Sequence, residues 1–187
     1  MKLDSDKVVS ISAILIGLCS LFMVVYQTVL LREEQRASVL PYLMVALMLN
    51  RDGAYVLINN TGIGPALIDD VKVVNVDGSE FDGDIYDFLQ VQTLPPQARP
   101  TDVDRLTEGR LLPAGITVRT VGSLAPGQEA LMRELLRHFD FVDAPDSWYL
   151  EAGYDPLQKR AVLQIDYASV YGERWRIRSD STVPQAL

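Results

Sequence analysis

The feature that most constrains this chain is an uncharged run, VVSISAILIGLCSLFMVVYQTVLL (8–31), between Lys7 and Arg32. A helix that rises about 1.5 Å per residue needs about 20 apolar residues to cross a hydrocarbon core about 30 Å thick. The alternative is a cleaved signal peptide, whose apolar region is about 7–15 residues long and ends at a small-x-small site. This run is longer and continues into REEQR without such a site. It therefore predicts a helix that stays in the membrane.

Positive charges do not decide on which side of the membrane the rest of the chain lies. Lys and Arg close to a span favour the cytoplasmic side. Two of them precede the run and two follow it: Lys2, Lys7, Arg32 and Arg36. A short N-terminal tail commonly stays in the cytoplasm, which favours the outer side for the domain, but Asp4 and Asp6 weaken this argument. Both sides stay open, with the outer side preferred.

The charge balance excludes one class of partner. The chain has 17 Lys and Arg against 25 Asp and Glu, a net charge of −8. Charges cancel within residues 1–36, so residues 37–187 carry the whole excess. Phosphate backbones and anionic lipid head groups repel such a domain, so nucleic acid is not an expected partner. The only cysteine, Cys19, lies in the span, which leaves the domain without a disulfide or a cysteine-based site.

The residues after the span predict a short stalk and then a β domain. REEQRAS is polar and helix-forming, and it extends the helix as a stalk over 32–40. Pro41 ends this stalk, because the residue before proline avoids helical backbone angles. Two apolar segments, YLMVALML (42–49) and AYVLIN (54–59), flank the turn signal RDG and predict a hairpin. ALIDDVKVVNV (66–76) predicts a further strand.

The middle of the chain interrupts this pattern. Residues 79–112 are rich in Asp and contain LPPQARP, which predicts an acidic insertion with one short helix at IYDFLQ and no further sheet core. GITVRTVGSL (115–124) predicts a strand. QEALMRELLRHF (128–139) places apolar residues at helical spacing and predicts an amphipathic helix that packs on the domain.

The C-terminal part has the clearest β pattern. In AVLQIDYASVYGERWRIRS, Leu163, Ile165 and Tyr167 share one face of a strand. YGER is a turn, and WRIR returns with Trp175 and Ile177 on the face opposite three arginines. This second hairpin is expected to belong to the same domain as the first. The side chains expected in the common core are Leu43, Val45, Val56, Ile58, Val73, Leu163, Ile165 and Trp175.

Together these elements predict a mainly β chain. It has one N-terminal transmembrane helix and a β-sandwich-like soluble domain of immunoglobulin-like type, with one or two short helices. The expected organisation is an N-terminal tail (1–7), the membrane helix (8–31), a helical stalk (32–40), the β domain (41–180, with 79–112 as an acidic insertion) and a C-terminal tail (181–187).

NNTGIGPA (59–66) lies between two apolar runs, where a phosphate-binding glycine loop could occur. A dinucleotide site needs G-x-G-x-x-G followed by a helix, and a P-loop needs Gly-Lys-Ser/Thr. Here Pro65 follows Gly64, the third glycine is missing and a strand comes next. The motif predicts a structural turn, in which Asn60 and Gly62 take left-handed backbone angles and Pro65 fixes the exit of the chain.

Few other residues suggest chemistry. His138 is the only histidine, so we expect it to face solvent at a helix end and not to bind zinc or serve a triad. Asp82 and Asp84 resemble part of a calcium loop, but the Gly and Glu that such a loop requires are missing. We expect a solvated acidic loop, no metal and no cofactor. The alternative is a hydrolase in which Asp82, Asp84 and Asp87 bind a metal or act as acid and base.

Two surfaces are candidates for binding a partner. Arg174, Arg176 and Arg178 are expected to form an exposed basic edge, which is either a solvated face or a docking site for an acidic partner. Small residues in the membrane helix recur on one face that ends in a glutamine: Ser10, Ala13, Gly17, Ser20 and Gln27. Helices associate in membranes where small residues let backbones approach and polar groups pair. The alternative is that such residues are simply common in membrane helices and that Gln27 reaches interfacial water.

Three stretches share a set of motifs with other proteins: YQTVLLREEQRASVLPYL (26–43), INNTGIGPALIDDVKV (58–73) and IDYASVYGERWRI (165–177). The motifs are one N-terminal span, a polar stalk ending in Ser-Val-x-Pro, an N-x-G-x-GPA turn and a final Y-x-S-x-Y-G-x-x-W strand. The chain thereby resembles a recurrent group of small uncharacterised bacterial single-pass membrane proteins. The resemblance implies a tethered β domain in a Gram-negative host and implies no activity.

These observations favour a non-catalytic, membrane-anchored β domain that binds or scaffolds a partner, in particular another membrane protein. The partners expected are the lipid bilayer and, through the membrane helix, a second copy of the chain or a different membrane protein. The alternatives are the membrane-tethered hydrolase and a sensor or accessory subunit of a transporter. Of the two sides of the membrane, the periplasmic one is preferred for the domain.

Overall fold

The computed structural model describes residues 5–37, 39–50, 53–91, 104–121, 135–142 and 160–187. The chain divides into two compact units, Met1–Ser38 and Val39–Leu187.

The first unit is a single helix, α1 (Ser5–Ala37), of 33 residues. The helix predicted over 8–31 is present and continues past Arg32 as predicted, but it ends at Ala37, whereas the helical stalk was predicted to extend to residue 40. Within α1, Val9–Glu34 is long and apolar enough to cross a membrane, and it is the one such helix among the residues that the structure describes. Its large apolar side chains are exposed, as Phe22 at 75% illustrates, because the unit has no core to bury them.

The second unit contains nine strands and a short helix among its described residues: β1 (Leu43–Asn50), β2 (Gly53–Asn60), β3 (Ala66–Val74), β4 (Glu80–Asp82), α2 (Ile85–Val91), β5 (Leu111–Leu112), β6 (Thr117–Val121), β7 (Val162–Ala168), β8 (Arg174–Arg178) and β9 (Gln185–Ala186). One sheet has the order β1-β2-β6, and the other has the order β4-β3-β7-β8-β9 with β5 also paired to β3. All of these strand pairs are antiparallel. A mainly β fold with an N-terminal apolar helix is therefore confirmed.

Both predicted hairpins are present. β1 and β2 pair along their whole length, from Leu43 opposite Asn60 onward. β7 and β8 pair from Gln164 opposite Arg178 onward, and Gly172 in their turn has a φ of +86°, an angle that glycine adopts without strain. The strand predicted over 115–124 is present as β6 (Thr117–Val121), and residues 122–124 lie outside the described residues. Apolar patterning and turn signals were thus sufficient to predict the strands of both hairpins and β6.

A β-bulge interrupts β3. The register against β7 shifts between Ile68 and Asp70. Before the bulge Ala66 and Ile68 are buried, and after it Val71 and Val73 are buried, so the buried positions change from even to odd numbers. The other edge of β3 changes partner at the same place, from β5 to β4. The bulge absorbs one extra residue, so the core face of β3 stays inward on both sides of it.

One buried cluster takes side chains from both sheets, among them Leu43, Val45, Val56, Ile58, Val73, Leu163, Ile165 and Ile177. Of the core residues predicted, all are buried except Trp175, which is only partly buried. The prediction for Trp175 was wrong, because its ring stacks on Tyr167 with 5.9 Å between centroids and also lines a surface pocket.

The interpretation of 79–112 as an insertion without sheet core was also wrong in part. The helix at IYDFLQ is present as α2, but β4 and β5 extend the second sheet. The buried side chains in this segment include Ile85, Leu89, Leu106 and Leu112. Most of the helix predicted over 128–139 lies outside the described residues.

Candidate functional site

The turn between β2 and β3 holds the chain segment that precedes β1. The N–H of Thr61 donates a hydrogen bond of 2.8 Å to the carbonyl of Tyr42. The N–H groups of Ile63 and Gly64 donate to the carbonyl of Leu40 at 3.1 and 3.3 Å. We call residues 60–65, together with the segment 39–42 that they bind, the anchor clamp, because this segment begins two positions after Ala37, the last residue of α1.

Asn60, at the end of β2, is the centre of the anchor clamp and is fully buried. Its Oδ1 accepts hydrogen bonds from the N–H groups of Tyr42 at 3.2 Å and Gly62 at 3.1 Å. Its Nδ2 donates to the carbonyls of Gly64 at 2.8 Å and Leu112 at 3.0 Å. An amide has two donor hydrogens and two acceptor lone pairs. One side chain therefore joins the segment before β1, the turn and the end of β5.

Gly62 and Gly64 are required by close approach of the backbone. A Cβ at Gly62 would overlap the backbone of Leu40 and Tyr42, and one at Gly64 would overlap the carbonyl of Val39. Neither glycine has a positive φ, and the described residues other than glycine have none. The predicted left-handed angles at Asn60 and Gly62 were therefore wrong, since Asn60 is still the last residue of an extended strand. The structural turn itself is present.

A pocket of about 130 Å³ lies beside the anchor clamp, lined by Leu40, Pro41, Tyr42, Tyr167, Trp175 and Pro184. The hydroxyl of Tyr42 donates to the carbonyl of Thr182 at 3.0 Å. The N–H of Leu43 donates to the hydroxyl oxygen of Tyr167 at 3.4 Å. Burial raises the pKa of Tyr167 to about 12. These bonds connect the start of β1 to the second sheet.

The three arginines of β8 do not form a free basic edge. Each lies against an aspartate: Arg174 with Asp69, Arg176 with Asp166 and Arg178 with Asp180. The pair of Arg176 is bidentate, with both bonds at 2.7 Å. β8 is also not an edge strand, because β9 pairs with it. The sequence alone did not show that Asp69, 105 residues away, would meet Arg174. A docking role for these arginines stays a prediction.

The prediction of a solvated acidic loop was wrong for Asp84, because this carboxylate is buried and has structural contacts. Asp84 is fully buried before α2, and its two oxygens accept hydrogen bonds of 3.0 Å from the N–H groups of Asp87 and Leu106. Burial raises the pKa of the Asp84 carboxyl, while those two hydrogen bonds act against this shift. Asp87 pairs with Arg105, and Asp82 is exposed in β4. Across the described ranges, no group of three or more His, Cys, Asp or Glu could hold a metal ion.

The remaining candidates are exposed. His138 has an exposed side chain. The small residues of the predicted helix-packing face all lie on α1, where Gly17 has open space around it and the hydroxyl of Ser20 donates to the carbonyl of Ile16 at 2.8 Å. At 100° per residue, the five positions from Ser10 to Gln27 span about 100° of the helix circumference.

Sequence reasoning found the turn residues but missed what they bind. The signal was present in the sequence N-x-G-x-G-P, at the end of a strand whose partner strand begins just after Pro41. No protein-family model matches the chain, and no curated protein matches it. The anchor clamp is therefore characterised by its own geometry.

Proposed function

We propose that this chain is a non-catalytic, single-pass membrane protein whose β domain binds or scaffolds another membrane protein. The observation that carries this proposal is the anchor clamp. A domain that only needs to stay near a membrane can be connected to its membrane helix by a flexible linker. In this chain the segment that leaves α1 is bound by three backbone hydrogen bonds and a buried amide within a few residues of the end of the helix. Such attachment is expected of a domain that must keep a defined position at the membrane in order to bind its partner.

The composition of α1 supports a partner inside the bilayer. Apolar burial drives helix association weakly in lipid, so small residues and polar side chains mark the surfaces where helices pack. Ser10, Ala13, Gly17, Ser20 and Gln27 provide such a surface on one side of α1. A second copy of this chain and a different membrane protein both fit it.

The absence of an enzymatic role is part of the proposal. Both oxygens of Asp84 are occupied by backbone N–H groups, and Asp87 is paired with Arg105. These contacts use the two carboxylates as a helix cap and an ion pair, as structural groups do.

We also infer that the two sheets pack as a β-sandwich of immunoglobulin-like type. Support comes from the single buried cluster to which both sheets contribute. A crystal structure in which the strand directions of the two sheets lie within about 30° of each other would agree with this inference, whereas strands crossing near 90° would contradict it.

Site-specific photo-crosslinking from position 20 of α1 in native membranes tests whether the membrane helix binds a partner. We expect one adduct of defined mass, either a dimer of the 20.8 kDa chain or a complex with a second membrane protein. The variant Gly17→Leu should lose most of this adduct, because the added side chain separates the helices. Val29→Leu is the control, since it adds bulk on a face of α1 about 120° away from Gly17. Equal adduct from Gly17→Leu, or none from the parent, would contradict the proposal.

A further inference from the structure

Four loops meet at one end of the β domain. Leu43 begins β1 opposite Asn60, which ends β2, and the backbone of Asn60 exchanges hydrogen bonds with Gly115 and Ile116. In the second sheet, Leu67 near the start of β3 pairs with the last residue of β7. Residues 39–42, 61–65, 113–116 and 169–173 therefore share one end, which we call the anchor end.

The four loops of the anchor end are almost free of charge, and Arg174, which begins β8 next to them, is paired with Asp69. Glu173 is the only charged residue in these four loops, although 22% of the whole chain is charged. Large apolar side chains are exposed there instead: Ile63 (69%), Val170 (57%), Tyr171 (46%), Ile116 (43%) and Leu40 (41%). In an acidic domain that carries the whole net charge of −8, such a surface is suited to an apolar or zwitterionic environment.

The length of the chain limits which environment this is. Leu40 is bound in the anchor clamp three residues after Ala37, the last residue of α1, and three residues span at most about 10 Å. The polar end of α1 from Arg32 adds about 9 Å at 1.5 Å per residue. The length of the chain thereby limits the distance of Leu40 from the end of the apolar run to about 20 Å. Lipid head groups occupy about 5–8 Å of that distance.

We propose that the anchor end rests on the bilayer surface, with Ile63, Ile116 and Tyr171 inserted among zwitterionic lipid head groups. The inference rests on the proposed function in one respect, since it takes α1 to span the membrane. Tyrosine is enriched at membrane interfaces, where its ring meets acyl chains and its hydroxyl meets water. The anchor clamp then orients the loops that carry these side chains, so the domain is held by the helix and by its own loops.

The test uses the full chain with Cys19→Ser, reconstituted in phosphatidylcholine vesicles. A single cysteine replaces Ile63 or Tyr171 and carries an environment-sensitive fluorophore, and lipids with a nitroxide near the head group act as quenchers. Val76 is the matched control position, because it is an apolar side chain, 58% exposed, in the turn at the opposite end of β3. We expect at least twofold stronger quenching at Ile63 and Tyr171 than at Val76. Equal quenching at the three positions would overturn the inference.

Two further outcomes separate this inference from the proposed function. If the chain does not co-float with the vesicles in a density gradient, the membrane anchoring is wrong, and this inference is wrong with it. A fluorophore at Ile63 that is shielded from aqueous iodide but not quenched by lipid would show that a second copy of the chain covers the anchor end, and would overturn the lipid contact alone.

A charge variant gives an independent readout. Ile63→Asp changes a side chain that is outside the core, so it should leave folding intact. It should lower the quenching at Tyr171 about twofold or more, because a carboxylate resists leaving water. Val76→Asp should leave the quenching at Tyr171 unchanged. Anionic vesicles at low salt should also lower the quenching at Tyr171, because they repel the acidic domain. Added salt should restore the quenching, because it screens this repulsion. No effect of Ile63→Asp on Tyr171 would contradict the proposal.

Discussion

Asn60 and Asn59 are neighbours of the same type on β2, and only one of them is essential to the anchor clamp. Asn60 is fully buried and holds three segments, whereas Asn59 is half-buried on the other face and accepts a hydrogen bond of 3.3 Å from Thr117. This difference follows from the period of two in a strand, which turns adjacent side chains to opposite faces. The pair allows one buried amide to be tested against an internal control.

We expect Asn60→Asp to lower the free energy of unfolding by about 3 kcal/mol or more at neutral pH. The substituted carboxylate would face the carbonyls of Gly64 and Leu112 without a hydrogen to donate, and each buried group left unpaired costs about 1–3 kcal/mol. Asn59→Asp should cost less than about 1 kcal/mol. Urea unfolding of the two variants in detergent checks this, and similar losses for both would show that the network of Asn60 has little effect.

The raised pKa of Tyr167 predicts that the free energy of unfolding of the β domain falls at alkaline pH. The pKa of this side chain is raised to about 12 in the folded chain, whereas an unfolded tyrosine titrates near 10. Because the pKa is higher in the folded chain, the contribution of Tyr167 to the free energy of unfolding is fully present below about pH 10. It is lost as the pH rises toward 12. Tyr167→Phe removes this loss, but it leaves the N–H of Leu43 unpaired at a cost of about 1–3 kcal/mol.

The stability advantage of the parent over Tyr167→Phe should therefore be largest near pH 8 and shrink between pH 10 and 12. Unfolding midpoints across this range measure it. Tyr171→Phe serves as the control, because Tyr171 is exposed. Parallel pH profiles for the parent and Tyr167→Phe would contradict this account.

At the scale of elements, the sequence predicted what depends on local patterning. The two hairpins and β6 follow from alternating apolar residues and turn signals, and α1 follows from an uninterrupted apolar run. The short strands β4 and β5 have no such pattern of their own. They form because β3 offers an edge to be paired, which is a consequence of the assembled sheet.

The anchor clamp was predicted only in part for a similar reason. Glycine is used either for a positive φ or for close backbone approach, and a G-x-G motif does not tell these uses apart. Here the use is close approach to a segment about 20 residues earlier, which becomes visible only when β1 and β2 are paired. The aspartate partners of the β8 arginines were missed because they come from other strands and loops.

Gly64→Ala tests the turn as an element. The added Cβ would overlap the carbonyl of Val39, so the segment before β1 must move, at a cost of about 1–3 kcal/mol for overpacking. The thermal midpoint of the β domain should fall accordingly. Gly17→Ala is the control, because nothing lies within 4 Å of a Cβ at Gly17. An unchanged midpoint for Gly64→Ala would mean that the segment yields at little cost.

At the scale of the whole molecule, the proposed periplasmic side of the domain can be measured directly. In a Cys19→Ser background, a cysteine at the exposed Val76 should react with a membrane-impermeant maleimide in intact spheroplasts. A cysteine at Ser5, at the start of α1, should react only after permeabilisation. The reverse pattern would place the β domain in the cytoplasm and contradict the preference for the outer side.

The bulge in β3 also bears on how such a chain can change in evolution. Because one extra residue sits between Ile68 and Asp70, loss of Asp69 would leave the pairs on both sides of it in register. Its cost should be little more than the exposed ion pair with Arg174, about 0–1 kcal/mol. Loss of Lys72 would instead turn Val73 away from the core and should unfold the domain. Asp69 is thus the position in β3 where a single codon can be lost, and relatives of this chain are expected to differ in length there first.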